Sequence, residues 1–383
     1  MKFNTACVHG NIIENNPTGA ISVPIYQSAT FVHPGVGQTT GYDYSRLQNP
    51  TREHLEKIVA KLENGIDALA FSTGMAAIMS VMELFQPQDH IICSDDLYGG
   101  SQRLFDNISQ KNQLSIDYTD SSDINNVKNL INENTKAIYI ETPTNPMMKV
   151  SDIRAIANIA KENHLLLIVD NTFLTPYFQK PLDLGADIVI HSGTKYLAGH
   201  NDTLAGFLVV KENIVAEKLR FIYKTIGACL APFDSWLVIR GLKTLALRLA
   251  VQEKNAIKIA DYLKTVAQVK QVYYIGLPEH TSYDISLKQS SGFGGMISFA
   301  VTKPEVAIRL LEKIKVVQYA ESLGGVESLL TYPMLQTHAD VPEDIRKAKG
   351  IDEHLLRLSV GIEDVEDIIA DLRQAFEEDK DEI

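Results

Sequence analysis

The chain has 383 residues, 45% of them apolar and 22% charged, and a formal net charge of −12. This length predicts two domains, and the composition predicts a soluble globular protein. The acidic balance argues against nucleic acid and anionic membranes as partners, and no apolar run is long enough to span a bilayer.

The N-terminal Met1-Lys2-Phe3-Asn4-Thr5 lacks the apolar stretch of a signal peptide. Cys7, Cys93 and Cys229 are odd in number and far apart. They suggest neither a disulfide framework nor a zinc site, no metal is expected, and a reducing cytoplasm is the expected location. Residues 1–45 show little helical periodicity and carry turn formers, Asn15-Asn16-Pro17 and Pro34-Gly35 among them. Such an arm needs another surface to order it, and a neighbouring subunit is the expected one.

Asn49-Pro50-Thr51 opens a helix, with Asn49 or Thr51 as cap and proline in the first turn. Leu55, Ile58, Val59 and Leu62 share its apolar face, and Asn64-Gly65 ends it. An apolar run, Ala68 to Phe71, then meets Ser72-Thr73-Gly74-Met75, and Ala76 to Phe85 reads as the next helix. A hydroxyl-and-glycine turn at a helix N-terminus is a general anion site, although a capped turn without a ligand reads the same way.

Four short apolar runs follow: His90 to Cys93, Ala137 to Ile140, Leu165 to Val169 and Ile188 to Ile190. Helical patterns at Ile124 to Ile131 and Ile153 to Ala160 lie between them. This alternation predicts an α/β domain with a mostly parallel sheet, whose ligands gather beyond the strands' carboxyl ends. Glu141-Thr142, Asp170-Asn171 and Ser192 to Lys195 fall there. The last of these, Ser192-Gly193-Thr194-Lys195, has two hydroxyls and a glycine that suit phosphate, and a lysine suited to nucleophilic or Schiff-base chemistry. A polar turn with a surface lysine is the plainer reading of the same residues.

Phe233 to Ala250 reads as one long helix linking two domains. Beyond it, Gly292 to Gly295 precede a strand at Met296 to Val301. Glu305 to Ile314 is helical, Leu355 to Val360 a strand and Val365 to Phe376 a final amphipathic helix. Fewer, more widely separated strands predict a smaller α+β domain. The acidic tail, Glu377 to Glu382, is expected to be a solvated end.

Taken together the motifs are more specific than any one of them. In order they are Tyr42-Asp43-Tyr44-Ser45-Arg46, Asn49-Pro50-Thr51-Arg52, Ser72-Thr73-Gly74-Met75-Ala76 and Asp96-Leu97-Tyr98-Gly99-Gly100. Then come Glu141-Thr142-Pro143-Thr144-Asn145-Pro146, Val169-Asp170-Asn171-Thr172 and His191-Ser192-Gly193-Thr194-Lys195-Tyr196. Glu321-Ser322-Leu323-Gly324-Gly325 and Leu356-Arg357-Leu358-Ser359-Val360-Gly361 complete the set. The chain thereby resembles the transsulfuration family of pyridoxal phosphate (PLP) enzymes over nearly its whole length. That family includes cystathionine β- and γ-lyases, cystathionine γ-synthases and methionine γ-lyases.

The resemblance implies an α/β, aspartate aminotransferase-like fold (fold type I) with PLP as cofactor, assembled as a homotetramer of two close dimers. It implies an N-terminal arm over residues 1–45 contacting a neighbouring subunit, a large PLP-binding domain over 46–242 and a small C-terminal domain over 243–383. Lys195 would carry PLP as a Schiff base and then move protons. Asp170 would pair with the ring nitrogen and keep it protonated. Tyr98 would stack on the ring and act as acid or base near the leaving group. Gly74, Met75, Ser192 and Thr194 would hold the phosphate, completed by Tyr44 and Arg46 of a neighbouring subunit. Asn145 would contact the cofactor and the substrate carboxylate, Arg357 would clamp that carboxylate, and Ser322 would position Lys195 or the carboxylate.

Asp43, Arg103 and Glu321 are the candidates for the far end of the substrate, each of which could also be a solvated charge. Gly100 stands where methionine γ-lyases typically have cysteine, which counts against that activity. Ala198, Asn201 and Gln48 depart from the family's usual glycine, serine and glycine. The leading expectation is C–S cleavage of cystathionine or a related sulfur amino acid, by β- or γ-elimination, to a thiol amino acid, a 2-oxo acid and ammonia. The alternatives are γ-replacement, making cystathionine or sulfhydrylating an acylated homoserine, and a non-catalytic PLP-fold binding protein.

Overall fold

The computed structural model describes residues 1–10 and 18–377; Asn15 to Pro17 and most of the acidic tail lie outside the described residues. The apolar runs form a seven-stranded sheet. Its strands are β1 (Asp67–Phe71), β2 (His90–Ser94), β3 (Ser115–Thr119), β4 (Thr135–Glu141), β5 (Leu166–Asp170), β6 (Ile188–Ser192) and β7 (Gly206–Val210). Their order across the sheet is β1-β7-β6-β5-β4-β2-β3. All pairs are parallel except those of β7, which runs against both neighbours.

Successive side chains leave opposite faces of a strand, and here both faces are buried. Ile138, Val169 and Val209 face one apolar core, whereas Tyr139, Ile168 and Leu208 face another. Helices cover both. This explains why the strands read as continuous apolar runs. β7, with sequence Gly206-Phe207-Leu208-Val209-Val210, is such a run as well, although it was not among the expected strands.

Helix α1 (Phe3–His9) packs against α2 (Pro50–Glu63), burying Ala6 and Cys7. A helix inside the arm was not expected and corrects that reading. The rest of the described arm is largely extended and leaves Ile21, Val32 and Val36 exposed. It is pinned where Thr51 Oγ1 donates to Pro24 O (2.8 Å) and accepts from Tyr26 N (2.9 Å). Asn49 caps α2 by accepting from Thr51 N and Arg52 N, and Asn64 closes it in the left-handed region at φ 62°. Helix α3 (Gly74–Met82) is capped by Thr73, so it starts two residues before the expected Ala76 and ends three before Phe85.

The expected single helix over 233–250 is two helices, Pro232–Leu242 and Leu245–Thr265. A Cβ at Gly241 would lie 2.1 Å from Ala198 O, so the first helix is pressed onto the chain beyond Lys195. The Gly241 carbonyl accepts from Arg248 Nη2 (3.0 Å) and Thr244 Oγ1 (3.2 Å), which satisfies it where the helix breaks. The apolar periodicity continues through the break, so it left no mark in the sequence.

The second sheet has β8 (Val269–Tyr273), β9 (Met296–Val301), β10 (Gln318–Tyr319), β11 (Leu329–Thr331) and β12 (Leu355–Ser359), ordered β10-β11-β12-β9-β8. Only β9 and β12 were expected. Helices Leu245–Thr265, Pro304–Lys313 and Val365–Phe376 cover one face through Ile259, Leu310, Leu356, Leu358 and Leu372. Arg357 leaves β12 on the opposite face. The fold is α/β, with a large, mostly parallel sheet and a smaller sheet unit. Among the described residues no helix is long and apolar enough to cross a membrane.

Candidate active site

The register of the large sheet gathers the site. Phe71 and Ser192 both lie opposite Gly206, Asp170 opposite Ile190, and Glu141 opposite Asp170. The carboxyl ends of β1, β4, β5 and β6 therefore share one edge, and the segments beyond them enclose a cavity of about 190 Å³. Gly74, Met75, Tyr98, Asn145, Asp170, Ser192, Thr194, Lys195, Glu321, Ser322 and Arg357 all line it.

Lys195 follows β6 in a turn closed by its N–H to Ser192 O (3.2 Å) and by Gly199 N to Lys195 O (2.8 Å). Its Nζ donates to Ser322 Oγ at 3.2 Å. Burial, helped by the charge of Arg357 and opposed by Glu321, lowers the amine to about 8. An amine so placed is a competent nucleophile and proton carrier.

Asp170 ends β5 with 8% exposure. Its Oδ1 accepts from Thr172 N at 3.0 Å, and burial raises its pKa. The next helix starts only at Thr175, so Asp170 is not a helix cap. A buried carboxylate without a cation is a place for a protonated ring nitrogen.

At the other side, α3 points its N-terminus at the cavity and has no acidic residue in its first turn. A Cβ on Gly74 would come within 3.1 Å of the Ser192 Cβ, so glycine keeps a narrow cradle between the two segments. Backbone N–H groups and the helix dipole favour a phosphate there. Thr194 Oγ1 is shared with the chain itself, donating to Ala205 O (3.2 Å) and accepting from Ala205 N (3.0 Å). An amine of lowered basicity, a buried carboxylate and an anion cradle in one cavity fit PLP.

Arg357 is 1% exposed. Nη1 donates to Asn145 Oδ1 (2.9 Å), and Nη2 to Ser322 O (2.9 Å) and Thr331 Oγ1 (3.1 Å). Burial pushes the guanidinium down to about 10, still charged at neutral pH. Its held fork suits a substrate carboxylate. Tyr98 precedes helix α4 (Gly99–Asn112). A Cβ at Gly100 would meet the Tyr98 ring at 2.5 Å and Met75 Sδ at 3.2 Å, so a side chain at 100 would displace that ring. Burial, with the charge of Glu321, raises the Tyr98 pKa.

Four expected residues lie outside the cavity. Asp43 accepts from Thr39 Oγ1 (3.0 Å) on the exposed arm. Tyr44 is exposed, and Arg46 donates to Lys224 O at 2.6 Å, so neither reaches the cavity of its own chain. Arg103 is exposed on α4 and paired with Asp340. It does not line the cavity, although its charge reaches Tyr98, which does. Glu321 alone of the three distal candidates lines the cavity.

Glu141, expected at the ligand edge but given no role there, also lines the cavity, as do Thr172 and Thr337. Glu141 ends an apolar strand as Asp170 does, so the same signal marked it; nothing local marked Thr337. Ala198, Asn201 and Gln48 do not line the cavity.

The family model for Cys/Met metabolism PLP-dependent enzymes matches residues 4–377. Cystathionine beta-lyase of Lactococcus lactis subsp. cremoris is 48% identical over 98% of this chain and 99% of its own. Cystathionine gamma-synthase of Haemophilus influenzae is 51% identical over 94% and 93%. The crystal structure of cystathionine gamma-lyase from Lactobacillus plantarum complexed with L-serine has a TM-score of 0.95 and 46% identity, covering 98% of each chain. A match of this extent, on a cavity built to this chemistry, means that the chain belongs to the Cys/Met metabolism family of PLP-dependent enzymes.

Proposed function

We propose that the protein is a PLP-dependent carbon–sulfur lyase that cleaves cystathionine, or a closely related sulfur amino acid, to a thiol amino acid, a 2-oxo acid and ammonia. The observation that carries this reading is the Lys195 amine, lowered to about 8 and, among the described residues, in no salt bridge, in one cavity with Asp170 and Arg357. Arg357, oriented by Asn145, binds the substrate α-carboxylate. Lys195 takes the α proton, and Ser322 steadies its amine. Tyr98 keeps its hydroxyl proton because of its raised pKa and can deliver it to the departing sulfur. Bound PLP supplies the electron sink that stabilises charge at the α carbon. Glu321 supports a contact with the ammonium at the far end of cystathionine.

γ-Replacement is the second reading, favoured by the 51% identity to a cystathionine gamma-synthase. Incubation with cystathionine and identification of the keto acid tests both. Pyruvate reports β-cleavage and 2-oxobutyrate γ-cleavage. No keto acid, with cystathionine formed from O-acylhomoserine and cysteine, overturns the lyase reading.

A homotetramer with shared sites fits the exposed arm, on which Tyr44 and Arg46 face away from their own cavity. An arm over 1–45, a large domain over 46–242 and a small one over 243–383 fit the two sheets, with the boundary beside the break between the two helices. A cytoplasmic location fits the three free thiols.

A further inference from the structure

The strands that build the site set a second acid beside Asp170. β4 and β5 are parallel and in register, with Glu141 opposite Asp170. Neighbouring strands are about 4.8 Å apart, so side chains on one face at paired positions are close. Glu141 is 5% exposed and Asp170 8%. Among the described residues neither is ion-paired with Lys, Arg or His. Two buried carboxyls so placed do not both ionise, and one proton stays with the pair.

The surroundings decide which acid keeps it. Asp170 accepts from Thr172, and His191 on the adjacent strand favours its charge. Glu141 faces Asp170 and Asp96, and burial is the largest influence on it, raising its pKa well above the usual range. Tyr98 and Tyr139 also face the pair, and burial keeps both neutral. The Arg357 charge is engaged by Asn145 and the Ser322 carbonyl. Glu141 Oε2 meanwhile accepts from Tyr98 N at 3.0 Å.

We propose that Glu141 is a positioning residue that stays protonated beside Asp170, so that the pair carries one negative charge and Asp170 holds it toward the cofactor ring. This rests on the PLP reading above. The same carboxyl anchors the backbone of Tyr98, so one side chain supports both Asp170 and Tyr98, two residues that would hold the cofactor. A second ionised carboxylate would instead repel Asp170 and raise its proton affinity.

Infrared difference spectra of wild-type and Glu141→Gln holoenzymes at pH 7 test this directly. The expected result is a protonated-carboxyl C=O band in the wild type that is lost in the variant. Glu141→Ala removes the acceptor of the half-buried Tyr98 N–H, and should weaken PLP binding roughly tenfold, with most of the loss recovered in Glu141→Gln. No carboxyl band lost on Glu141→Gln, or PLP binding unchanged in Glu141→Ala, overturns the inference. A wild-type protein that gains no visible band with PLP overturns the cofactor reading and this inference together. An intact visible band without the Glu141 carboxyl signal overturns this inference alone.

Discussion

Lys195 shows how burial makes a reactive group and leaves a measurable trace. Its folded value of about 8 lies below the ordinary 10.5. Between these values the unfolded chain binds the extra proton, so this group makes stability rise with pH across that window. At and below pH 8 its burial costs the most. The apoprotein of Lys195→Met should therefore be more stable than wild type at pH 7 by about 1–2 kcal/mol, and the difference should shrink toward pH 10.5. Urea unfolding midpoints of the two apoproteins across pH check this, and a difference independent of pH would refute it. Arg357 makes the complementary case. Its fork is held by Asn145, Ser322 and Thr331, so Arg357→Lys keeps the charge and loses the geometry. We expect kcat/KM for cystathionine to fall about a hundredfold, mainly through KM, since the lost contact is to the carboxylate that does not react. A change confined to kcat would contradict that role.

At the scale of elements, the close approach of β7 to the turn before α3 shapes the anion cradle. A Cβ at Gly206 would lie 2.1 Å from Thr73 O, a backbone atom that cannot yield without moving the cap of α3. Gly206→Ala should weaken PLP binding at least tenfold and lower the melting temperature, by an overpacking cost of about 1–3 kcal/mol. Spectroscopic PLP titration and calorimetry measure both, and normal PLP affinity would show that the cradle tolerates the shift. The cap of α2 is a purely structural counterpart. Asn49→Ala removes the acceptor for Thr51 N and Arg52 N and the donor to Tyr26 O. It should cost about 1–2 kcal/mol in chemical denaturation.

For the whole molecule, the decisive feature is a site whose expected Tyr44 and Arg46 face away from their own cavity. Sites shared between subunits predict complementation. Arg46→Ala and Lys195→Ala should each be inactive alone. Coexpressed, half of the randomly paired dimers hold one intact site of two, restoring roughly a quarter of wild-type activity. No restoration in verified mixed dimers would place Arg46 outside the site.

The sequence by itself determined the α/β class and the family, and it named residues, from Gly74 to Arg357, that the structure gathers in one cavity. Their chemistry is carried by short motifs at strand ends, where a buried strand must stop and a polar turn begin. Apolar content sufficed to mark β2, β4, β5 and β6. The equally apolar run of β7 went unread, and the break before Leu245 and the short strands β10 and β11 left no mark, because a helix break shows only in contacts from elsewhere and strands of two or three residues are too short to show a period. The tertiary structure alone decided that Glu141 lies opposite Asp170, that Arg103 pairs with Asp340, and that Tyr44 and Arg46 do not line the cavity of their own chain. Those outcomes depend on register between strands and on loops distant in the chain, which local sequence does not encode.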